Sequence, residues 1–228
     1  MAKTTAEALP LTFAVDPVRK VSGLLSVPPS ARAVYVMAHG AGAGMAHPFL
    51  AKFSGLLADR GVAVFRYQFP YMEAKSRRPD RPEVATATVR AAVAEAAKRL
   101  PQLPIFAGGK SFGGRMTSTA DAVRPLGVEG IAFLGFPLHP PGAPAITRAE
   151  HLADVRVPLL FLQGTNDEFA ELDLLHQVVR SLRTTATLHL IDGANHSFHV
   201  PAKSGRKDVD VMAELADVMT AWMAGLAR

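Results

Sequence analysis

Short, uninterrupted runs of apolar residues alternate along this chain with longer segments whose apolar residues recur at helical spacing. Uninterrupted runs are typical of strands buried on both faces of a parallel sheet. The pattern predicts six such strands, at residues 33–38, 62–67, 105–108, 130–136, 159–163 and 187–191. It predicts helices at residues 48–60, 83–100, 112–123, 171–182 and 207–226. This order favours a single three-layer α/β/α domain over residues 1–228, with a mostly parallel sheet.

The connections between these elements refine the prediction. Two weaker strands, at residues 11–15 and 21–27, are expected to pair as an antiparallel hairpin at the sheet edge. Only the proline-rich residues 137–157, with one helical turn at 149–154, separate two of these strands; this connection is too short for an additional domain, so we expect a minimal cap or none over this edge of the sheet. We therefore expect the functional site to be open and shallow. Five apolar residues are expected to line this site, and each is equally a candidate for the core: Phe69, Tyr71, Met72, Phe136 and Leu138.

The composition excludes several classes of protein. Hydrophobic residues make up 49% of the 228 positions and charged residues 20%, which favours a folded chain over a disordered one. Cysteine is absent, which excludes disulfides, thiolate metal sites and a cysteine nucleophile. No apolar run approaches the ~18 residues of a membrane span. Because residues 1–10 also lack the apolar region of a secretory signal, we expect a cytoplasmic protein.

The strongest chemical signal is a G-x-S-x-G motif at residues 109–113, between a predicted strand and a predicted helix. In this context the motif forms a sharp turn that lifts Ser111 above the sheet as a nucleophile. Side chains at Gly109 and Gly113 would collide with the neighbouring elements, which explains the two glycines. The N–H group of Phe112, at the start of the helix, is then directed at an anion.

Nucleotide-binding patterns do not fit these glycines. A phosphate-binding loop ending at residues 109–111 requires a glycine where the chain has Pro104. A dinucleotide fingerprint starting at Gly40 requires its third glycine at Met45, and a start at Gly42 fails in the same way. We therefore expect neither a cofactor nor a metal.

A serine nucleophile needs an imidazole to accept its proton. Among the eight histidines, His196 has the best position, on the short loop between the last strand and the last helix. His199 is the nearest rival and is expected to be a loop residue.

The imidazole in turn needs an acid that orients it. Asp167, directly after the strand at residues 159–163, is the first choice, and Glu168 and Asp192 are the alternatives. The chain order Ser111, Asp167, His196 is that of α/β-hydrolases rather than of the two common serine-protease orders.

A glycine-rich segment at residues 38–44 follows the first buried strand. Such a loop can bring a second backbone N–H group close to the negative oxygen that develops during acyl transfer. We choose Ala41 as this donor and Gly42 as the second candidate. His39 is expected to fix the loop by hydrogen bonding rather than to take part in the chemistry.

These motifs resemble those of the α/β-hydrolase superfamily over nearly the whole chain. The closer resemblance is to a small dienelactone-hydrolase-like group that includes the testis-expressed-protein type. It is carried by residues 39–45, 47–49, 69–72, 77–79, 109–116, 136–142 and 163–165. The resemblance implies the triad and the oxyanion donors named above, but no substrate. Dienelactone hydrolases use a cysteine nucleophile, so the serine at position 111 argues against dienelactone as the substrate.

The chain carries 25 Lys and Arg against 20 Asp and Glu, a net charge of +5. Seven of the basic residues fall on two loops expected near the site, and we name them the basic rim: Lys75, Arg77, Arg78, Arg81, Lys203, Arg206 and Lys207. The basic rim is either a solvated loop surface or an attractor of an anionic substrate or partner. Nucleic-acid binding is not expected, because no recognised module or interleaved aromatic residues accompany the charges.

Together these features predict a cofactor-free serine hydrolase of small acyl substrates, such as carboxylic esters. The alternative is a non-catalytic protein of the same fold that acts as an interaction partner or a subunit of an assembly.

Overall fold

The structure is a computed structural model, and it describes residues 7–182 and 184–227. Residues 1–6, part of the segment in which no secretory signal is expected, lie outside the described residues. The strands are β1 Leu9–Ala14, β2 Lys20–Ser26, β3 Ala33–Ala38, β4 Val62–Tyr67, β5 Ile105–Lys110, β6 Gly130–Leu134, β7 Leu159–Gly164 and β8 Ala186–Ile191. The α-helices are α1 Pro48–Ala58, α2 Pro70–Glu73, α3 Pro82–Arg99, α4 Phe112–Val123, α5 Leu172–Ser181 and α6 Asp208–Leu226, and 3₁₀ helices cover Thr147–Asp154 and Ala202–Ser204.

The strands form one eight-stranded sheet in the order β1-β2-β4-β3-β5-β6-β7-β8. Strands β1 and β2 pair antiparallel, with Leu11 opposite Gly23, and β2 pairs antiparallel with β4. The other neighbouring strands are parallel. The predicted edge hairpin and the predicted mostly parallel sheet are both confirmed.

Helices cover both faces of the sheet, as the uninterrupted apolar strands predict. Successive residues of a strand point to opposite faces, so Phe133 of β6 packs in one apolar cluster and Leu134 in the other. The first cluster takes its helical side chains from α3, α4 and α5, and the second takes them from α1 and α6. The result is the expected three-layer α/β/α arrangement.

The observed element boundaries lie close to the predicted ones, and the differences have local causes. Strand β6 ends at Leu134 rather than at 136, because Gly135 adopts a φ of 73° that interrupts the extended backbone. The short helix α2 is absent from the prediction, since a single turn contains too few residues to show helical periodicity. Pro70 occupies its first turn, where the missing N–H group costs no hydrogen bond.

The loops after β3, β5, β7 and β8 all leave the sheet at the carboxyl ends of parallel strands, where open α/β sheets carry their sites. Within the described part of the chain, no helix has the length and apolar character needed to span a membrane.

Candidate active site

A sharp turn between β5 and α4 presents Ser111. Its backbone has φ 50° and ψ −116°, a strained conformation for a residue with a side chain. The turn packs against the end of β3 without any free space. A Cβ atom added to Gly109 would lie 2.2 Å from the Ala38 carbonyl oxygen, and one added to Gly113 would lie 2.5 Å from the His39 carbonyl oxygen. The glycines of the G-x-S-x-G motif therefore allow this turn to form.

His196 and Asp167 form a hydrogen-bonded chain with Ser111. His196 Nε2 lies 2.9 Å from Ser111 Oγ, and His196 Nδ1 lies 2.7 Å from Asp167 Oδ2. A carboxylate can only accept, so Nδ1 carries the proton and Nε2 keeps its lone pair for the serine hydroxyl. The structure thus brings together three predicted site residues that are far apart in sequence.

The Asp167 side chain is wholly buried, and hydrogen-bond donors surround it. Oδ2 accepts from Gln163 Nε2 at 2.5 Å as well as from His196, and Oδ1 accepts from the Phe169 N–H at 2.9 Å. Gln163 is itself oriented, because its Oε1 accepts from the Phe136 N–H at 2.8 Å. Sequence reasoning missed this role of Gln163, and its only signal was a polar residue at the end of an apolar strand.

The loop over residues 192–200, here named the histidine loop, is held close to β7. A Cβ atom at Gly164 would lie 2.2 Å from the Ala194 carbonyl oxygen, so only glycine permits this approach. Asn195 Oδ1 accepts from the N–H groups of Ser197 at 2.9 Å and His199 at 3.1 Å, which closes the loop around His196.

The surroundings of His196 favour its neutral form. Burial lowers its pKa, and the hydrogen bond to Asp167 opposes this effect. The positive charge of Lys110 lowers the pKa further, while Glu168 raises it. Since the pKa lies below the ordinary histidine value of 6.5, the imidazole is uncharged and able to accept a proton at neutral pH.

The loop over residues 39–47, here named the oxyanion loop, approaches Ser111 from β3. His39 fixes its start: Nε2 accepts from the Phe69 N–H at 3.1 Å, so Nδ1 carries the proton and donates to the Gly40 carbonyl at 2.8 Å. Burial lowers the pKa of His39 to about 4, which keeps this tautomer neutral. The expected loop-fixing contacts of His39 are present.

Polar side chains from β4, α2 and the residues between them also hold the oxyanion loop. Gln68 accepts from the Met45 N–H at 2.8 Å, and the buried Arg66 donates to the Met45 carbonyl at 3.0 Å. The Tyr71 hydroxyl accepts from the Gly42 N–H at 3.3 Å. The Gly42 N–H is therefore engaged, which argues against Gly42 as an oxyanion donor.

The two predicted donors are free. Among residues 7–182 and 184–227, neither the Ala41 N–H nor the Phe112 N–H donates a hydrogen bond to the protein. Ala41 lies in the same cleft as Ser111, and a Cβ atom at the adjacent Gly40 would lie 3.7 Å from the Cβ of Ser111. Both N–H groups thus belong to segments that adjoin the serine.

The rival residues are engaged elsewhere. The exposed Asp192 accepts from Thr165 Oγ1 at 3.3 Å, and His199 pairs with Asp208 at 2.9 Å. Glu168 is exposed and influences His196 only through its charge. These contacts favour Asp167 over both alternative acids.

A second serine–histidine pair occurs in α4, where Ser118 Oγ lies 2.8 Å from His151 Nε2. The Ser118 side chain is fully buried, and its hydroxyl donates to the Arg115 carbonyl at 3.0 Å. Among the described residues, no carboxylate accepts a hydrogen bond from His151. The Ser118 hydroxyl is therefore closed to solvent, whereas Ser111 lines a cleft.

The sequence model of a family described as the alpha/beta hydrolase domain matches residues 31–224. The chain belongs to the α/β-hydrolase family. The resemblance seen in the sequence motifs is thereby confirmed at the level of the superfamily.

Solved structures share the fold of this α/β-hydrolase. A dienelactone hydrolase from Anabaena variabilis has a TM-score of 0.78 at 19% identity, with 98% of this chain and 100% of that one covered. An α/β serine hydrolase without lid from Xanthomonas campestris has a TM-score of 0.74 at 21% identity, with 95% of each chain covered. Est1E from Butyrivibrio proteoclasticus has a TM-score of 0.70 at 15% identity, with 94% of this chain and 99% of that one covered. At these identities the likeness is one of fold.

The cleft above Ser111 in this α/β-hydrolase has a volume of about 350 Å³. Its lining differs from the prediction: Phe69, Tyr71, Phe136 and Leu138 are buried in the core, and Met72 packs against that core. Of the two roles left open for these residues, the core is therefore the one observed. For Phe69, Tyr71 and Met72 the reason is that the chain turns inward at α2 directly after β4. The residues that do line the cleft are Gly40, Ala41, Ala43, His47, Phe49, Leu50, Lys110, Ser111, Phe169, His196 and Ser197.

The segment expected to replace a cap is small. Residues 137–157 contain only the 3₁₀ helix Thr147–Asp154, which packs against α4 through Ala149 and Leu152. No residue of this segment lines the cleft. The prediction of a minimal or absent cap is confirmed.

The basic rim does not line the cleft that holds Ser111. Arg78 and Arg81 line a separate groove beside Tyr71, and Arg206 pairs with Glu214. The cation that does line the cleft is Lys110. The basic rim can therefore attract an anion to the cleft only from a distance. At physiological ionic strength, salt weakens such an attraction over about 8 Å.

Proposed function

We propose that this protein is a serine hydrolase that cleaves a carboxylic ester or a related small acyl substrate. The observation that carries the proposal is the continuous hydrogen-bonded chain from Asp167 through His196 to Ser111 Oγ, with the hydroxyl at the floor of an open cleft. Family membership supports hydrolase activity. The residue roles below are part of the proposal.

In the first half-reaction, Ser111 Oγ attacks the acyl carbon while its proton passes to His196 Nε2. The resulting imidazolium stays beside Asp167, and then gives its proton to the leaving alcohol as the carbon–oxygen ester bond breaks. An acyl-serine remains. In the second half-reaction, water attacks the acyl carbon, His196 accepts a proton from the water, and that proton returns to Ser111 as the carboxylic acid leaves.

The tetrahedral intermediates carry a negative oxygen that needs hydrogen-bond donors. We assign the N–H groups of Phe112 and Ala41, because both belong to segments around Ser111 and neither has a protein acceptor in the described part of the chain. Loss of one such donor costs about 10²–10³-fold in kcat in well-studied hydrolases. The contacts of His39 and Tyr71 prearrange the loop that presents Ala41.

The cleft favours a small substrate with a largely apolar acyl group. Ala41, Phe49, Leu50 and Phe169 supply apolar contacts, and the volume of about 350 Å³ lies near the lower end for small-molecule sites. The serine at position 111 distinguishes the chain from hydrolases with a cysteine nucleophile. We further propose that residues 1–228 act as one domain, without cofactor, in the cytoplasm.

The experiment is labelling with a fluorophosphonate probe, which reacts only with an activated serine. Wild type is expected to be labelled, and Ser111→Ala to lose labelling and the hydrolysis of short p-nitrophenyl esters while keeping its fold. Ser118→Ala is the matched control, since it removes the other serine bonded to a histidine. Ser197→Ala removes another serine of the cleft. Unlabelled wild type would favour the non-catalytic interaction protein instead.

A further inference from the structure

Lys110 stands directly before the candidate nucleophile and contacts the candidate base. Its Nζ donates to the His196 carbonyl oxygen at 2.6 Å, which ties the end of β5 to the histidine loop. The ammonium group also lies 5.5 Å from the centre of the Phe198 ring. This lysine therefore connects the two segments that must stay in register for Ser111 to reach His196.

Lys110 and His196 both pack closely against Gly135. A Cβ atom added to Gly135 would lie 3.0 Å from Lys110 Nζ and 3.3 Å from His196 Nδ1. The ammonium group and the imidazole thus rest against the same glycine, at the end of β6. Gly135 itself has a φ of 73°, a conformation that favours glycine, so this shared surface depends on the backbone of one residue.

Lys110 acts on the site through its charge as well as through its hydrogen bond. Burial lowers the pKa of Lys110 to about 8, while nearby Asp167 opposes that shift. Below this pH the side chain is a cation near His196. The charged groups that act on the imidazole are Asp167 and Glu168, which favour its protonation, and Lys110, which disfavours it.

We propose that Lys110 is a positioning residue for His196, which anchors the histidine loop through the His196 carbonyl and places a positive charge beside the imidazole. The proposal rests on the proposed function, since it assigns His196 as the base. The anchor holds Nε2 in line with Ser111 Oγ. The charge keeps the imidazole free of a proton at mildly acidic pH, so that it remains able to accept one.

The test separates the charge from the anchor. Lys110→Met removes both and keeps the length of the side chain, Lys110→Arg keeps the charge, and Lys203→Met removes an exposed lysine elsewhere. The pKa of His196 is read by NMR titration of its ring, with the signal assigned from His196→Gln. The midpoint should move to higher pH in Lys110→Met and stay at the wild-type value in Lys110→Arg and Lys203→Met.

The anchor is measured by the second-order rate of fluorophosphonate labelling at a pH where His196 is neutral in every variant. Loss of a charged hydrogen bond predicts a rate about 10- to 100-fold lower in Lys110→Met. If Lys110 only supported the fold, Lys110→Met would lower the labelling rate without moving the titration midpoint of His196. If Lys110→Met does not fold, Lys110→Gln replaces it in the NMR titration, where loss of the charge predicts the same rise of the midpoint.

If the titration midpoint of His196 were unchanged or lower in Lys110→Met, the proposal would be overturned. The NMR titration does not depend on activity, so it decides this point even if wild type proves unreactive. Unreactive wild type would instead count against the proposed function. The two failures are therefore distinguishable.

Discussion

Asp167→Asn tests the proposed acid with the smallest change in shape. In the native site the carboxylate accepts from His196 Nδ1, Gln163 Nε2 and the Phe169 N–H. An asparagine must turn its NH₂ group toward one side of this arrangement. If the NH₂ faces His196, the imidazole moves its proton to Nε2 and can no longer accept from Ser111. If the NH₂ group faces Phe169, this group and the Phe169 N–H are two buried hydrogen-bond donors that point at each other.

The expected loss in kcat/KM is about 10⁴-fold, the size seen when a triad aspartate becomes asparagine. At 1.36 kcal/mol per tenfold, this corresponds to about 5 kcal/mol of transition-state stabilisation. Folding stability should fall much less, by about 1–3 kcal/mol for one opposed pair of donors. The contrast between a large kinetic and a small thermodynamic effect is the signature of a residue that sets the imidazole tautomer.

The assay is initial-rate hydrolysis of p-nitrophenyl acetate, with unfolding in urea measured alongside. Asp192→Asn is the matched control, because Asp192 is exposed and its only hydrogen bond among the described residues is to Thr165. It should keep most of the wild-type rate. A nearly normal rate in Asp167→Asn together with a large loss in Asp192→Asn would refute the assignment and move the acid to Asp192.

Four further outcomes are expected. The acid limb of kcat/KM against pH should have its midpoint below 6.5, because burial lowers the pKa of His196; a midpoint at or above 6.5 would contradict this. Unfolding free energy should fall by up to ~3 kcal/mol for each of His39 and His151 as pH drops from 6.5 to 4, since the unfolded chain protonates both while their folded pKa values are about 4; equal urea midpoints at both pH values would exclude it. Tyr71→Phe should lower kcat/KM about tenfold through the loosened oxyanion loop, with ~1 kcal/mol lost in urea unfolding. Gly109→Ala should destabilise the fold by on the order of 3 kcal/mol, whereas Gly55→Ala, with open space around it, should be neutral or stabilising in the same urea assay.

The sequence predicted the sheet and the site loops well because both depend on local patterns. Buried strands require uninterrupted apolar runs, and a turn as tight as the one at Ser111 requires glycine at fixed positions. Whether the apolar residues after β4 line the cleft or join the core could not be predicted from the sequence, for a reason that is not local. Phe69 and Tyr71 follow β4 directly, but α2 turns both side chains under the oxyanion loop, where they contact His39.

The supporting polar residues were also hidden in the sequence. Gln163 at the end of β7 and Lys110 at the end of β5 have no spacing relation to their partners. Their hydrogen bonds run to the loop after β7 and to the histidine loop. A single polar residue at a strand end has the same sequence signal whether it faces solvent or a buried partner. Only the three-dimensional arrangement of β5, β6, β7 and β8 distinguishes these cases.

The absence of space around the turn at Ser111 has a consequence for how the gene can vary. Every missense change in a glycine codon introduces a Cβ atom, including the single-base change to alanine. At Gly109, Gly113 and Gly114 that atom would meet a backbone oxygen at 2.2, 2.5 and 2.7 Å. Backbone oxygens cannot be removed by a second mutation, so no substitution at a neighbouring codon relieves these contacts. The three codons are therefore expected to lack compensated missense variants, whereas the codon for Gly55, which has open space around it, can change to that of alanine.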